Sequence, residues 1–418
     1  MDLKDKIVTI IGLGKSGRSA ARLLIRHGAR VRISDKAAQC QEDFLRWAKD
    51  NQIDMELGGH TRDFMEASDL VIVSPGIKLD QDCVRWTRAA QIPLWGELEL
   101  ASRFCNVPMI AITGSNGKTT VATLIGDILS AARKKVKVCG NIGYPLTDVV
   151  LEEEKYDFVI VEVSSFQLET IKTFKPHIAV FLNFSQNHLD WHNNLDEYFN
   201  AKKRIFMNQD EDDYAVLNKK DPKVAGLEGA LKGQVRFFNT GSYPETEIGH
   251  NPDYVAAFCV GRILGLDVVL ARSVIENFGG VEHRLEKVRV LNGVQFINDS
   301  KATTAEAARW ALESLDRPII MICGGKDKNI DFTGLRDLVR HKVKKMFLIG
   351  EARSKLKDSF SGLVPVEESL DLKQAILNAA KEAKQGDAVL LSPMCASFDM
   401  FENFEHRGRS FKEIVNTL

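Results

Sequence analysis

The residues best able to do chemistry lie at 113–120, where the chain reads Thr-Gly-Ser-Asn-Gly-Lys-Thr-Thr. An apolar run at 107–112 precedes this stretch, and a helical pattern follows it. A strand, a glycine turn and a helix start in this order direct backbone N–H groups and the positive end of the helix dipole into one concavity. The Lys118 ammonium would meet β- and γ-phosphates, and the hydroxyl of Thr119 or Thr120 would hold Mg²⁺. The sequence therefore predicts a nucleoside triphosphate site.

A carboxylate and a polar cluster follow the next apolar runs. Glu162 ends the run at 157–161, and a carboxylate at a strand end beside a phosphate loop is a usual anchor for Mg²⁺. His188, Asp190 and His192 follow the run at 176–183. Since paired histidines are commonly structural, we interpret His188 as the metal ligand and His192 as a structural side chain. The alternative for Glu162 is a solvated strand end.

A second glycine turn, G-x-G-x-x-G, occupies residues 12–17 after the apolar run at 6–11. Asp35 ends the following strand, where an acidic residue can meet a ribose hydroxyl. A further turn, residues 74–76, follows the apolar run at 69–73, and ligands of open α/β sheets bind at such strand ends. The glycine turn at 12–17 would suit a dinucleotide or a nucleotide diphosphate, and a glycine turn with no ligand remains the alternative.

The composition is that of an ordinary globular protein. The chain has 418 residues, 44% of them hydrophobic, and a formal net charge of −1, so nothing favours nucleic acid as a partner. The seven cysteines include no C-x-x-C pair, and no apolar run approaches a membrane span. We expect a cytoplasmic protein, a monomer, without a membrane span.

Strands alternate with helices along the whole chain, which predicts an α/β protein. We expect three domains, each with a mostly parallel sheet, at 1–93, 94–280 and 281–418. We expect the region after residue 280 to form another parallel, doubly wound sheet.

Taken in order, these motifs resemble those of the Mur ligases. The residues that carry the resemblance are 12–17, 74–76, 113–120, 140–143, 162–167, 187–190, 201–205, 283–284, 298–303 and 390–408. The last of these groups is similar to the branch of the family that uses D-glutamate. The resemblance covers nearly the whole chain, and it is the ordered set that makes it specific.

The resemblance implies a fold and a reaction. It implies a Rossmann-like N-terminal domain for a UDP-linked substrate, a central ATPase domain and a Rossmann-like C-terminal domain for the incoming amino acid. The reaction would be ATP-dependent amide formation between UDP-N-acetylmuramoyl-L-alanine and D-glutamate, in peptidoglycan precursor synthesis. Because a carboxylate is a poor electrophile, it would first become an acyl phosphate. A sister ligase, or one similar to folylpolyglutamate synthase, would add a different amino acid.

The resemblance also implies the roles of individual residues. It implies ATP contacts from Gly114, Ser115, Asn116, Gly117, Lys118, Thr119, Thr120, Asn141, Arg284 and Asp299. It implies contacts to the UDP-linked substrate from Gly14, Lys15, Ser16, Asp35, Ser74, Pro75, Gly76 and Asn141. It implies a D-glutamate pocket formed by Lys301, Thr303, Lys328, Ser397 and Phe404. It implies two Mg²⁺ sites held by Thr119, Glu162, His188 and Lys202, the last as a carbamate. The catalytic residues would be Lys118, Lys202, His188 and Arg284.

Three features depart from the family pattern. Asn187 stands where an aspartate usually precedes the metal histidine, and Tyr254 stands where an asparagine usually contacts adenine. The link at 239–249 is also short. Two other classes of protein compete with a ligase: a nicotinamide oxidoreductase built on residues 12–17, and a phosphate-loop switch or motor. The first would leave the phosphate loop unused, and the second would hydrolyse nucleotide without an acceptor.

Overall fold

The computed structural model describes residues 2–141, 143–185, 191–242, 245–249, 251–327 and 330–418. Its strands form three sheets. The first two sheets belong to one compact unit, Met1–Phe278, and the third belongs to a second unit, Gly279–Leu418. Among the helices of the described residues, none combines the length and the apolar character that a membrane crossing requires.

The first sheet is a parallel, Rossmann-like sheet. Its strands are β1 (Ile7–Ile11), β2 (Arg30–Asp35), β3 (Asp54–Leu57), β4 (Leu70–Val73) and β5 (Leu94–Gly96). Its helices are α1 (Lys15–Arg26), α2 (Glu42–Asp50), α3 (Arg62–Glu66) and α4 (Asp82–Ala89), and α5 (Glu97–Ser102) leads out of it. The strand order is β3-β2-β1-β4-β5. Since β5 reaches Gly96, the boundary expected at residue 93 falls before the last strand of this sheet.

The second sheet carries the phosphate loop and is parallel throughout. Its strands are β6 (Met109–Thr113), β7 (Val136–Gly140), β8 (Phe158–Glu162), β9 (Ile178–Phe181), β10 (Tyr214–Asn218) and β11 (Gln234–Phe238). Its helices are α6 (Lys118–Ala131), α7 (Leu146–Leu151), α8 (Ser165–Leu168), α9 (Leu195–Lys203), α10 (Pro222–Ala225), α11 (Pro252–Ile263) and α12 (Val268–Glu276). In the order β11-β10-β9-β6-β8-β7, β6 lies between β8 and β9, so polar residues ending these strands meet beside the loop.

Helix α5 fixes the first sheet to the second through two buried carboxylates. Glu97 accepts hydrogen bonds from the backbone N–H (2.7 Å) and hydroxyl (2.8 Å) of Thr147. Glu99 accepts from the backbone N–H groups of Lys172, Thr173 and Phe174 at 2.8 to 3.1 Å. Helix α5 is therefore anchored within the first unit.

The third sheet is mostly parallel, as expected, with one antiparallel strand at its edge. Its strands are β12 (Glu286–Leu291), β13 (Val294–Asn298), β14 (Ile319–Gly324), β15 (Val343–Ile349), β16 (Val366–Glu368) and β17 (Ala388–Leu391). Its helices are α13 (Ala305–Ser314), α14 (Arg336–Lys342), α15 (Arg353–Phe360), α16 (Leu372–Glu382) and α17 (Phe404–Thr417). The order is β12-β13-β17-β14-β15-β16, with β12 antiparallel to β13.

The antiparallel edge follows from a two-residue turn. Asn292 and Gly293 have φ of +50° and +75°, and both residues of a type I′ hairpin turn need positive φ. The pair joins β12 to β13 directly, with Leu291 opposite Val294. The Asn-Gly signal was present in the sequence, and it is what makes this edge of the sheet antiparallel.

Candidate active site

The phosphate loop has the predicted form. Strand β6 ends at Thr113 and α6 begins at Lys118, with Gly117 as the N-cap residue. Gly117 has φ of +82°, and a Cβ added there would collide with the Asp253 carboxylate on the first turn of α11. Glycine is therefore required here both by backbone conformation and by space. The loop opens at the N-terminus of a helix of 14 residues, the favoured place for an anion.

Side chains from neighbouring strand ends hold the loop in shape. Asn183, just beyond β9, accepts from the Asn116 N–H (2.9 Å) and donates to the Asn116 carbonyl (3.2 Å). The Ser115 hydroxyl donates to the Ser185 carbonyl (3.0 Å) and lies 3.3 Å from the Tyr198 hydroxyl. These bonds preorganise the loop before any ligand arrives.

Two lysines converge on one carbonyl oxygen of the loop. The Lys118 ammonium donates to the carbonyls of Gly114 (3.0 Å) and Ser115 (3.1 Å). Lys202 donates to the same Gly114 oxygen at 2.8 Å. Two full positive charges this close repel each other, which favours loss of one proton.

Lys202 is the fully buried member of the pair. It is 1% exposed, and its nitrogen lies 4.7 Å from the ring centroid of Tyr198. Burial, and then the charge of Lys118, lower the pKa of Lys202 well below its usual value. A basic helix face is usually solvated, but Lys202 of α9 points into the interior. Its neighbour Lys203 is half-buried.

The predicted metal carboxylate is buried at the strand end, not solvated. Glu162 is 2% exposed and accepts from the Thr119 hydroxyl (2.7 Å) and from the Asn141 side-chain amide (2.9 Å). Thr119 is itself buried, whereas Thr120 is half-buried. A carboxylate, a hydroxyl and an amide oxygen on one side of the loop form the oxygen donor set that Mg²⁺ prefers.

His192 has a structural environment, in agreement with our interpretation of it. It is 3% exposed, its Nε2 lies 2.8 Å from the Ser165 hydroxyl, and its ring lies 5.2 Å from that of Tyr198. His188, which we predicted as a metal ligand, lies outside the described residues, as do Asn187 and Asp190.

The glycine turn of the first sheet is braced by its own acidic residue. The two carboxylate oxygens of Asp35 accept from the backbone N–H groups of Leu13 and Ala37. The Ser74 hydroxyl donates to the Gly12 carbonyl at 2.8 Å. Helix α1 begins just after Gly14, so the exposed residues Gly14 and Lys15 lie at a helix N-terminus.

Two hollows lie beside elements of the first sheet, and the second of them includes a residue of this turn. One, of about 330 Å³, is lined by Lys36, His60, Asp80, Gln81, Asp82, Cys83, Arg85 and Trp86. The other, of about 490 Å³, includes Lys15, two arginines of α1, Trp47 and Tyr144. Pro75 and Gly76 follow β4 and are partly or fully exposed. The turn thus offers helix-terminal N–H groups with room beside it.

The remaining predicted residues lie in the second unit. Asp299 is 5% exposed and accepts from the Ser392 hydroxyl (3.0 Å) and the Leu285 N–H (3.3 Å). Burial raises the pKa of Asp299 to about 7. Arg284, half-buried, precedes β12 and its N–H donates to the Val281 carbonyl.

Four of the five residues predicted to bind D-glutamate lie in the described part of the chain, and a hydrogen bond connects the turns that carry them. The Lys301 ammonium lies 5.7 Å from the ring centroid of Phe404, and the Thr303 N–H donates to the Lys301 carbonyl. Ser397, 2% exposed, lies in the turn after β17, which bonds to the 299–303 turn through Met394 N–H and the Ala302 carbonyl. Lys328 lies outside the described residues.

Sequence reasoning missed several supporting residues. Asn183 brackets the loop, Tyr198 packs against Lys202, and Asp253 fills the space beside Gly117. A signal for Tyr198 was available, because it lies four residues before Lys202 and so on the same helix face. Asn183 and Asp253 depend on how distant segments meet, which spacing alone does not reveal.

Fold and site together define an α/β protein with a phosphate loop on one parallel sheet and a second glycine turn on another. Three family models match: "Mur ligase MurD-like, N-terminal domain" at residues 6–96, "Mur ligase middle domain" at 112–252 and "Mur ligase, glutamate ligase domain" at 283–395. The chain belongs to the Mur ligase family, which confirms the resemblance seen in its motifs.

Full-length relatives agree with this assignment. The chain is 39% identical over 452 residues to the UDP-N-acetylmuramoylalanine--D-glutamate ligase of Thermoanaerobacter sp. (strain X514), with all of both chains covered. It is 40% identical over 456 residues to the ligase of the same name from Caldicellulosiruptor saccharolyticus, again with both fully covered.

Solved structures show the same fold. The chain resembles the MurF ligase of Thermotoga maritima, solved in complex with ADP, with a TM-score of 0.60 and 17% identity over 100% of this chain and 96% of that one. It also resembles UDP-N-acetylmuramate-alanine ligase from Thermotoga maritima, with a TM-score of 0.58 and 17% identity over 99% of each chain. Three sheet-containing α/β domains were therefore correctly predicted.

Proposed function

We propose that this chain is the ATP-dependent ligase that joins D-glutamate to UDP-N-acetylmuramoyl-L-alanine in peptidoglycan precursor synthesis. The observation that carries the proposal is the identity of 39 to 40% to ligases with this name over the full length of both chains. The phosphate loop, with its buried carboxylate and lysine pair, supplies the matching chemistry.

ATP would bind with its phosphates at the start of α6. Lys118, now bonded to loop carbonyls, would turn to the β- and γ-phosphates, where its charge stabilises the transferring group. Transfer of the γ-phosphoryl group to the L-alanine carboxylate gives an acyl phosphate. The neutral amine of D-glutamate then attacks the acyl carbon, phosphate leaves, and one proton is released from the new amide nitrogen. Arg284 and Asp299 remain predictions as ATP contacts.

The residues beside the loop fit Mg²⁺. Thr119 would hold one ion together with phosphate oxygens. Glu162, oriented by Asn141, would hold a second ion, for which His188 and the Lys202 carbamate remain predicted ligands. When bound, the metal would neutralise phosphate charge and polarise the transferring group.

Lys202 suits the carbamate that the family resemblance implies. Only the neutral amine reacts with CO₂, and burial beside Lys118 lowers the pKa of Lys202 so that this form is available. The reaction forms an N–C bond and releases a proton, which leaves an anion. That change would relieve the repulsion between the two lysines and add an oxygen donor beside Glu162.

The two substrates would meet the ATP site from different domains. The UDP moiety would sit at the turn of the first sheet, at Gly14, Lys15 and Ser16, with Asp35 bracing the turn and the Ser74–Gly76 turn beside it. Asn141, which bonds Glu162, would extend toward the same ligand. D-glutamate would bind at the tied turns of the second unit, between Lys301, Thr303, Ser397 and Phe404, with Lys328 as a further predicted contact.

The test is phosphate release with UDP-N-acetylmuramoyl-L-alanine and ATP, measured against a panel of D- and L-amino acids. We expect turnover with D-glutamate and at most trace turnover with L-glutamate, L-lysine or diaminopimelate. Preference for one of the others would assign a sister ligase instead. Phosphate release without any acceptor would indicate a switch or motor, and binding of NADH without binding of the UDP-linked substrate would indicate an oxidoreductase.

A further inference from the structure

The second unit buries an arginine that the proposed reaction does not use. Arg407 lies in the first turn of α17, four residues after the N-cap Asn403. It is only 1% exposed and is, by residue volume, the largest fully buried side chain among the described residues. Arginine is rarely buried unless it is paired, so its position calls for a functional reason.

The guanidinium ties two turns together. Its Nε donates to the Ser300 hydroxyl (3.0 Å), and one terminal nitrogen donates to the Ser300 carbonyl (2.9 Å). The other terminal nitrogen donates to the Cys395 carbonyl (3.2 Å). A Cβ added to Gly325 would come within 3.1 Å of that nitrogen, so a third turn also lies against it.

All three acceptors are neutral oxygens. The charge of Arg407 is therefore solvated by dipoles and is not cancelled by a bonded carboxylate. Burial lowers the pKa of Arg407 to about 10, with Cys395 and Asp399 opposing the shift. The side chain thus remains a cation at neutral pH, in a place where a cation is costly.

The turns that contact this cation are near, in sequence, to the residues predicted to bind D-glutamate. Lys301 follows Ser300, Ser397 lies two residues after Cys395, and Phe404 accepts from the Ser300 hydroxyl through its carbonyl at 2.8 Å. Gly325 precedes Lys328 by three residues in the sequence, and Lys328 lies outside the described residues. The guanidinium therefore bonds directly to two turns that carry predicted D-glutamate contacts, and its bonds fix the positions of these turns relative to one another.

We propose that Arg407 is a positioning and specificity-determining residue, which holds these turns and gives the pocket the positive potential that selects an acceptor with two carboxylates. This inference rests on the proposed function. Because the guanidinium is hydrogen-bonded only to neutral groups, its positive electrostatic potential extends beyond these turns to the proposed D-glutamate pocket. An acceptor with two carboxylates is stabilised more by this potential than an acceptor in which an amide replaces the side-chain carboxylate.

The test compares D-glutamate with D-glutamine, which lacks only the charge of the side-chain carboxylate. The quantity measured is the ratio of kcat/KM for the two acceptors, with product identified by mass spectrometry. In R407M the ratio should fall by roughly tenfold or more, because a unit charge has been removed near the pocket. In R407K, which keeps the charge without the fork, the ratio should stay within about threefold of the unmodified chain while KM rises for both acceptors.

Each outcome distinguishes an effect of the Arg407 charge on acceptor selection from a purely structural role of this side chain. Equal losses for both acceptors in R407M, with the ratio unchanged, would overturn the proposal and leave only a packing role. If R407M does not fold by its melting curve, R407Q, whose amide can still donate to the Ser300 carbonyl, takes its place. If neither neutral variant folds while R407K does, the role is structural and the proposal is overturned. Failure of the proposed function is a separate result, since the unmodified chain would then not use D-glutamate.

Discussion

At the residue scale, the central feature is the pair of lysines that share the Gly114 carbonyl. One is half-buried and can turn toward phosphates, whereas the other is 1% exposed and cannot leave its place. Their different surroundings suit them to different roles: the half-buried Lys118 can reach a bound phosphate, whereas burial lowers the pKa of Lys202 well below its usual value.

Replacement of Lys118 by alanine should lower kcat by about a hundredfold or more, since a charged contact to the transferring phosphoryl group is lost. Binding of the UDP-linked substrate should be unchanged, because its predicted turn lies on another sheet. Steady-state kinetics and a substrate titration measure the two effects, and Lys134→Ala, an exposed lysine after α6, is the matched control. Near-normal kcat in Lys118→Ala would refute the assignment of the loop.

Replacement of Lys202 by alanine should abolish turnover, whereas Lys203→Ala, its neighbour on a different face of α9, should retain it. The physical reason is that the carbamate proposed at Lys202 supplies an anion beside Glu162. Carbon NMR with isotope-labelled bicarbonate should show a carbamate signal that disappears in the Lys202 variant. An essential Lys203 with a dispensable Lys202 would mean that the register of the motif is wrong.

Asp299 should make the second unit less stable as pH rises. Burial raises its pKa from the usual 3.8 to about 7, so the folded state binds its proton more tightly than the unfolded state. The stabilisation is complete below the unfolded value and is lost as pH rises through the folded one, by up to roughly 4 kcal/mol. Asp299→Asn should flatten this dependence, as measured by hydrogen exchange of peptides from Gly279–Leu418. Parallel pH profiles for the two proteins would contradict this explanation.

At the element scale, the sequence predicted the buried strands and the edge strands β7, β11 and β12, and it missed the short edge strands β3 and β16. Strands such as β1, β6 and β8 are apolar runs covered on both faces, so they stand out in the sequence. The short edge strands β3 and β16 are half-exposed and mixed in character, and their pairing depends on the neighbour that they meet. The site followed the same rule, because strand-end residues were predictable and the long-range supports were not.

Helix α5 should depend on Glu99 for its attachment to the second sheet. Burial alone would raise the pKa of Glu99, but hydrogen bonds from Lys172, Thr173 and Phe174 lower it below its usual value. Glu99→Ala leaves these buried donors without their acceptor, which should lower the unfolding free energy by about 3 kcal/mol or more. The contribution should also be lost as pH falls through the folded-state pKa.

Denaturant unfolding of Glu99→Ala measures this effect, and Glu153→Ala, an exposed glutamate between α7 and β8, is the control. Faster hydrogen exchange should be confined to peptides at 97–103 and 170–175. If the two variants unfold at the same denaturant concentration, the carboxylate does not anchor the helix.

At the scale of the whole molecule, each sheet carries its predicted ligand residues at strand carboxyl ends. The first two sheets form one unit, so the glycine turn at 12–17 and the phosphate loop belong to one compact body. The third sheet, with the tied turns behind which Arg407 is buried, forms the other unit. One predicted ligand site on each of the three sheets would fit the proposed reaction, which has three substrates.

The central claim is that the chain activates the L-alanine carboxylate by phosphorylation before the amide forms. The most direct test uses UDP-N-acetylmuramoyl-L-alanine with both carboxylate oxygens replaced by the heavy isotope, together with ATP and D-glutamate. Mass spectrometry of the products should show one heavy oxygen in the released phosphate and one in the new amide. Released phosphate without heavy oxygen, or phosphate formed at the same rate without D-glutamate, would contradict the account.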